Sequence, residues 1–332
     1  MSKTPLSLLD LVPVVQGGTI AQALENAGDI AAHAEALGFR RYWVAEHHGM
    51  AGVAGAATSV VLAHAGARTR AIRIGSGGIM LPNHAPLQIA EQFGTLDALY
   101  PGRIDLGLGR APGSDGRVAM ALRHGDPERF PSQVVTLQAL FAGDPATGLT
   151  AVPGAGAAPE IWILGSSTYG ARLAAELGLP YGFASHFAPA MLDAAVAIYR
   201  EHFRPSATLA APRLMVGANV IAADTAEEAR FMATSMQQSF VNLRTGRPGP
   251  LPPPVEGYFE ALPPEARAAL DQMLSCTAIG TEVDVAAQLT ALAERTGADE
   301  IIVGCNVFDH QARRKSLAIA ARAMNSESVP AQ

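Results

Sequence analysis

The 332-residue chain has little cysteine, little charge and no long apolar run. Its two cysteines, Cys276 and Cys305, exclude a disulfide framework or a four-cysteine metal centre and fit a reducing compartment. Charged residues make up only 16%; 24 Lys+Arg against 30 Asp+Glu leave a net charge of −6, with no Lys/Arg run. That balance argues against nucleic-acid binding, which needs a basic face to replace phosphate counterions. The longest uncharged run, Ala51–Ala67, is rich in Ala and Gly and contains His64. It falls short of the roughly 18 strongly apolar residues of a membrane span. Lys3 precedes an apolar stretch that Asp10 interrupts, with no small-residue cleavage site, so this start reads as a strand and not a signal peptide. A cytoplasmic protein is expected. Apolar residues reach 49%, which excludes a disordered chain.

Several chemistries lack their motifs. There is no HExxH and no Walker A loop, and Gly107-Leu108-Gly109 is followed by Pro112 where the Rossmann spacing needs glycine. Gly165-Ser166-Ser167 is not a nucleophile elbow. His47 and His48 are adjacent, so on a strand they point to opposite faces and form no ready metal pair. No metal is expected.

What is present is alternation. Apolar runs at Leu6–Val12, Arg41–Glu46, Ile72–Leu81, Arg103–Arg110, Glu160–Gly165, Tyr181–His186, Arg213–Ala222 and Glu300–Gly304 read as strands. Amphipathic helical stretches follow them, several stopped by glycine as at Gly38 and Gly178. Strands buried on both faces read as continuous apolar runs, as these do. Eight such units predict a closed (β/α)8 TIM-type barrel, with a doubly wound open sheet as the competitor. No linker divides the chain, so residues 1–332 read as one domain with insertions after the fourth and seventh strands. The second, at about residues 245–280, includes the proline-dense surface segment Arg247–Pro264.

Barrel active sites sit at the C-terminal strand ends. Polar or glycine residues recur there: Glu46-His47-His48, Ser76-Gly77-Gly78 with Asn83-His84 beyond, Gly109-Arg110, Gly165-Ser166-Ser167, Ser185-His186, Asn219 and Gly304-Cys305-Asn306. Each has a plain alternative. The histidines fit hydrogen-bonded loop residues, the glycine pair fits close packing, and Arg110 fits an ion pair with Asp115. Ser166 to Gly170 joins a strand to a helix N-terminus, which suits either a phosphate or an ordinary Ser/Thr cap.

Trp43-Val44-Ala45-Glu46-His47-His48, Ile74-Gly75-Ser76-Gly77-Gly78-Ile79-Met80-Leu81-Pro82, Tyr100-Pro101-Gly102-Arg103 through Gly109-Arg110-Ala111, Leu164-Gly165-Ser166-Ser167 and Gly297-Ala298-Asp299-Glu300-Ile301-Ile302 together resemble the bacterial luciferase-like flavin-dependent monooxygenases. The resemblance runs from the first strand to the last helix. It implies a flavin at the barrel mouth. Ser76, Gly77 and Gly78 match a bulge, often with a cis peptide, behind the isoalloxazine. Arg110 matches a position near the flavin phosphate. Ser166 and Ser167, with the backbone of Tyr169 and Gly170, match the phosphate loop. His47 matches a histidine at the reacting face, suited to acid–base work, and His48 and His186 fall on the substrate side. Gly109 stands where luminous members carry cysteine, and Ser166 where their loop is acidic, so light emission is not implied.

The implied reaction takes reduced FMN from a separate NAD(P)H-dependent flavin reductase and O2, and oxygenates a small organic substrate through a flavin C4a-peroxide. The implied assembly is a homodimer. Three alternatives remain: a deazaflavin (F420)-dependent hydride-transfer oxidoreductase on the same barrel, a non-catalytic flavin-binding protein and a metal-dependent barrel hydrolase. The loops Pro112–Pro131 and Arg247–Pro264, with Phe130, Tyr258 and Phe259, are expected to cap the mouth and favour an apolar substrate.

Overall fold

The structure, a computed structural model, describes residues 4–122 and 124–325. Lys3, Arg123 and residues 326–332, hence both ends of the 1–332 domain, lie outside the described residues. Strand β1 (Leu6–Asp10) leads to helix α1 (Ile20–Ala36), β2 (Arg41–Val44) to α2 (Thr58–Ala67) and β3 (Arg73–Met80) to α3 (Pro86–Leu99). Then β4 (Ile104–Gly109) is followed by α4 (Gly116–Ala121) and α5 (Phe130–Ala142), β5 (Glu160–Gly165) by α6 (Thr168–Leu177), and β6 (Tyr181–Phe183) by α7 (Leu192–His202). After β7 (Leu214–Ala222) come α8 (Ala226–Arg244), α9 (Tyr258–Ala261), α10 (Pro264–Met273), β8 (Thr277–Gly280) and α11 (Glu282–Thr296). Last are β9 (Glu300–Gly304) and α12 (His310–Asn325). Helix starts follow local chemistry. Thr19, Thr225 and Thr281 accept the free N–H of Gln22, Glu228 and Asp284.

Strands β1 to β7 pair in sequence, all parallel, and β9 closes the ring between β7 and β1. The fold is the (β/α)8 barrel, and its ring consists of the eight strands expected from the sequence. The ninth, β8, falls inside the segment read as a surface insertion and pairs with β7 outside the ring, from Asn219↔Thr277 to Ala222↔Gly280. The cause is the length of β7. Its first part, from Met215 to Asn219, is taken by β9, and its far end is left to a partner.

The pleat sorts the side chains. Leu8, Tyr42, Val44, Ile74, Leu106 and Val216 face outward into the core shared with the helices. Leu9, Trp43, Ala45, Trp162, Met215 and Ile302 face inward as a second core. Trp43 and Trp162 meet there edge to face at 5.5 Å. Phe130, expected over the mouth, is 1% exposed and belongs to the outer core.

Below the inner core lies a buried ionic layer. Arg41, itself 1% exposed, donates to Glu300 at 2.9 Å and to Asp105 and Glu160 at 2.8 Å each. It also lies over the Trp162 ring. Arg73 completes Asp105, Arg213 completes Glu160, Ser7 donates to Glu300, and the indole N–H of Trp43 donates to Asp105. Removing one partner of such a layer strands the others in a dry interior. Arg41→Met should therefore cost about 3–5 kcal/mol, read as a lower urea midpoint. Burial pushes the Glu160 carboxyl up, but Arg213, Arg41 and the Trp162 N–H outweigh it and hold it at about 2, against an ordinary 4.5. The stability Glu160 contributes is complete above pH 4.5 and lost as pH falls toward 2. The melting-temperature gap between wild type and Glu160→Gln should close over that range.

Candidate functional site

The mouth is built from the loops that follow the C-terminal strand ends. Beyond Val44, His47 lies beside His186, whereas Glu46 and His48 bond each other on the side of β3 and His84. His47 Nδ1 is buried without a hydrogen-bond partner, and so is Nδ1 of His186. The His186 ring lies on Gly217, where a Cβ would stand 2.2 Å from Nδ1, so only glycine leaves it room. The Asn219 side-chain amide donates to the His186 carbonyl at 2.8 Å and fixes its backbone. Burial and the neighbouring His47 push the His186 pKa down to about 4. Burial also lowers that of His47, with His48 acting in the same direction and Glu46 opposing. The mouth thus holds two imidazoles whose buried Nδ1 atoms have no partner, and burial favours their neutral form.

The second part is a cradle at the start of α6. Ser167 occupies the N-cap position but its hydroxyl makes no cap bond, unlike Thr19 or Thr225. The first-turn N–H groups of this ten-residue helix and the exposed hydroxyls of Ser166 and Ser167 are therefore available to an anion. Arg110 stacks on the Tyr169 ring at 3.8 Å, which places its guanidinium over that first turn. The carboxylate considered for it, Asp115, instead caps α4 through the Val118 N–H. Arg110 keeps only a loose 3.6 Å contact to exposed Glu128. Gly170 is buried, and a Cβ at Gly165 would come 3.6 Å from its Cα.

The bulge expected at Ser76-Gly77-Gly78 is present. The β3–β4 register shifts between Ser76 and Ile79, and the Gly77-Gly78 peptide is cis. Packing explains why both residues are glycine. A Cβ at Gly77 would meet Leu9 at 2.5 Å, and one at Gly78 the Gly107 carbonyl oxygen at 2.6 Å. The Ser76 hydroxyl donates to the Gly107 carbonyl at 2.8 Å, so it holds the bulge and does not face the mouth.

His48 does not join His47. Its Nε2 donates to Glu46 Oε1 at 2.8 Å, and His84 Nε2 donates to the same oxygen at 2.9 Å. Glu46 is 1% exposed, and its other oxygen accepts the Met80 N–H. Burial pushes its carboxyl up, but the His84, His48 and Met80 hydrogen bonds outweigh it and hold it below the usual range. Sequence spacing missed this cluster because His84 lies beyond the next strand. The usable signal was that both segments end neighbouring strands. A strap crosses the same end of the barrel: Leu251 pairs with Val15, bonding through Val14 and Gln16, and Val14 bonds Gly52. The arrangement fits a flat cofactor with an anionic tail. Arg110, Ser166, Ser167, Tyr169 and Gly170 would take the tail, with His47 and His186 at the ring end.

An NMR titration of the ring should find the His186 midpoint near 4, not near the ordinary 6.5. Because the unfolded chain takes up that proton first, this ring's contribution to stability is complete above pH 6.5 and declines toward pH 4.

A family profile described as luciferase-like monooxygenase matches residues 8–300. A protein of Escherichia coli (strain K12) named luciferase-like monooxygenase is 51% identical over 318 residues, 95% of each chain. The N-acetyl-S-alkylcysteine monooxygenase of Bacillus subtilis (strain 168) is 35% identical over 302 residues, 87% of this chain and 88% of that one. Among solved structures, apo-MsnO8 superposes with a TM-score of 0.87 at 34% identity, covering 97% of this chain and 98% of that one. The oxygenating constituent of 3,6-diketocamphane monooxygenase from Pseudomonas putida, in complex with FMN, shares the fold at a TM-score of 0.72 and 18% identity, covering 97% and 98%. The chain belongs to the luciferase-like monooxygenase family.

Proposed function

We propose that the protein is an FMN-dependent monooxygenase that oxygenates a small organic substrate. When bound at Arg110, Ser166 and Ser167, reduced FMN would supply the two electrons that let one atom of O2 enter the substrate and the other leave as water. A separate NAD(P)H-dependent flavin reductase restores it. The observation that carries the reading is the pairing of two parts at one mouth. One is a cradle for a phosphate (Arg110 on Tyr169, with an uncapped helix start). The other is a pair of buried imidazoles, His47 and His186, with unpartnered nitrogens.

The roles of the chain follow from that geometry. The α6 N–H groups, Ser166, Ser167 and Arg110 hold the phosphate. The bulge at Ser76-Gly77-Gly78 supports the ring. His47 Nδ1 holds or moves a proton at the reacting face, and His186 stays uncharged beside it. His48, tied to Glu46, positions the segment that carries His47. The strap at Leu251 and half-buried Tyr258 and Phe259 help to exclude water. The deazaflavin reading ranks second, because Arg172 is the only basic residue in α6 to meet a longer acidic tail. We further propose a homodimer in the cytoplasm. Among the described residues no helix is long and apolar enough to cross a membrane.

Anaerobic titration with reduced FMN, followed by mixing with O2 and a substrate panel, tests the reading. Tight binding, a slower return of oxidised-flavin absorbance than in free solution, and label from 18O2 in the product are expected. Absence of binding, or reoxidation at the free-flavin rate, shifts the assignment to a deazaflavin or a non-catalytic role. His47→Ala should lower turnover about 10²–10⁴-fold with flavin affinity little changed. Arg110→Ala should weaken FMN by about 1.5–3 kcal/mol but leave riboflavin, which lacks the phosphate, unaffected.

A further inference from the structure

We propose that Glu46, His48 and His84 form a site for one borderline-soft divalent cation, of the zinc type, on the outer rim of the mouth. A bound ion is required by neither the phosphate cradle nor the proton role proposed for His47, although the same Glu46–His48 contact positions the segment that carries His47. Glu46 and His48 come from the end of β2, and His84 from the turn after β3. Their Oε1, Nε2 and Nε2 atoms all lie within 4.8 Å of one another.

The hydrogen bonding is unusual for a structural cluster. Glu46 Oε1 has two lone pairs, yet three donors converge on it: His48 at 2.8 Å, His84 at 2.9 Å and the Asn83 side-chain amide at 3.5 Å. A carboxylate only accepts, so both rings carry their proton on Nε2. If each ring moves that proton to Nδ1, both Nε2 lone pairs are freed beside the Glu46 carboxylate with no net proton gained or lost. Tetrahedral zinc, with metal–donor distances of about 2.0–2.2 Å, spaces its ligands roughly 3.4 Å apart. The Glu46–His48 and Glu46–His84 contacts, 2.8 and 2.9 Å, therefore need to open by about half an ångström.

The donor set selects the ion. Two imidazoles and one carboxylate suit zinc, iron(II), cobalt, nickel or copper, whereas magnesium and calcium prefer all-oxygen sets. Three protein ligands leave a fourth position for water, and the partly exposed rings, His48 at 16% and His84 at 25%, provide the path. An outer shell already holds the ligands in place. Met80 N–H bonds the second Glu46 oxygen, Asn83 donates to the Pro112 carbonyl at 2.9 Å, and His124 bonds Asn83 Oδ1 at 2.5 Å.

Calorimetric titration of the chelator-treated, tag-free full chain with Zn2+, and visible absorption with Co2+, test the site. One ion per chain, intense tetrahedral cobalt bands, a raised melting temperature and no response to Mg2+ or Ca2+ are expected. His84→Ala and Glu46→Gln should each weaken binding at least about 100-fold, beyond the loss typical of outer-shell changes. Absence of Zn2+ or Co2+ binding at micromolar concentration overturns the proposal. So does binding that survives His84→Ala undiminished, which would place the ion at other histidines. Should Glu46→Gln fail to fold, His84→Ala carries the test, since its ring is partly exposed. The readout is independent of flavin turnover, so failure here leaves the monooxygenase reading intact.

Discussion

The guanidinium of Arg41 is the contact on which the barrel depends. It joins carboxylates from β4, β5 and β9 at the first turn of the barrel, where β2 begins. Three carboxylates, Asp105, Glu160 and Glu300, meet the guanidiniums of Arg41, Arg73 and Arg213, with half-exposed Arg40 3.6 Å from Glu300 at the edge of the layer. A buried ionic layer gains little over an apolar one in stability. Its geometry is another matter. A carboxylate displaced by one residue would point at the helices, so these pairs admit one register for the strands they join. Asp29, Asp224 and Glu282 also pair with basic residues of α12, but on the surface, where such pairs contribute far less.

That register decides what faces the mouth. Counting in twos from Arg41 reaches Trp43 and then, just past β2, Ala45 in the inner core, with His47 and its buried Nδ1 two residues further on. Counting from Tyr42 reaches Val44 and then Glu46, on the side toward β3 and its following turn. One tripeptide, Glu46-His47-His48, therefore serves two environments. His47 enters a dry cup without a partner, and Glu46 gathers His48 and His84 outside it. Burial, with the neighbouring imidazoles acting in the same direction, lowers the His47 and His186 pKa values.

The ring strands were legible in the sequence because a parallel strand buried on both faces needs an unbroken apolar run. Strand β8 was not legible. Thr277-Ala278-Ile279-Gly280 is too short to show a period, and it exists because β7 has an unpaired end. Phe130 looked like a pocket residue because it borders a long loop, but it opens α5 and turns into the outer core. The expected glycine pair was found at a bulge. Its glycine identity comes from Leu9 and Gly107, contacts across strands that no local reading contains. Likewise the Arg110–Tyr169 stack joins residues 59 positions apart, and the β4–β5 pairing brings the two strand ends together.

The same limit explains the two kinds of polar group at the mouth. Motif reading recovers residues that act from one segment, such as the serines before α6, because helix starts have a local signature. It does not say whether those serines cap the helix or leave it open. Here Ser167 caps nothing, whereas Thr19, Thr225 and Thr281 all cap their helices. The uncapped start lies beside Arg110 across the strand boundary, so the donors left free by one segment adjoin the charge supplied by another, which is the arrangement the proposed phosphate site uses. An isolated loop could supply either half. The barrel supplies both because strand order puts the β4 and β5 ends side by side.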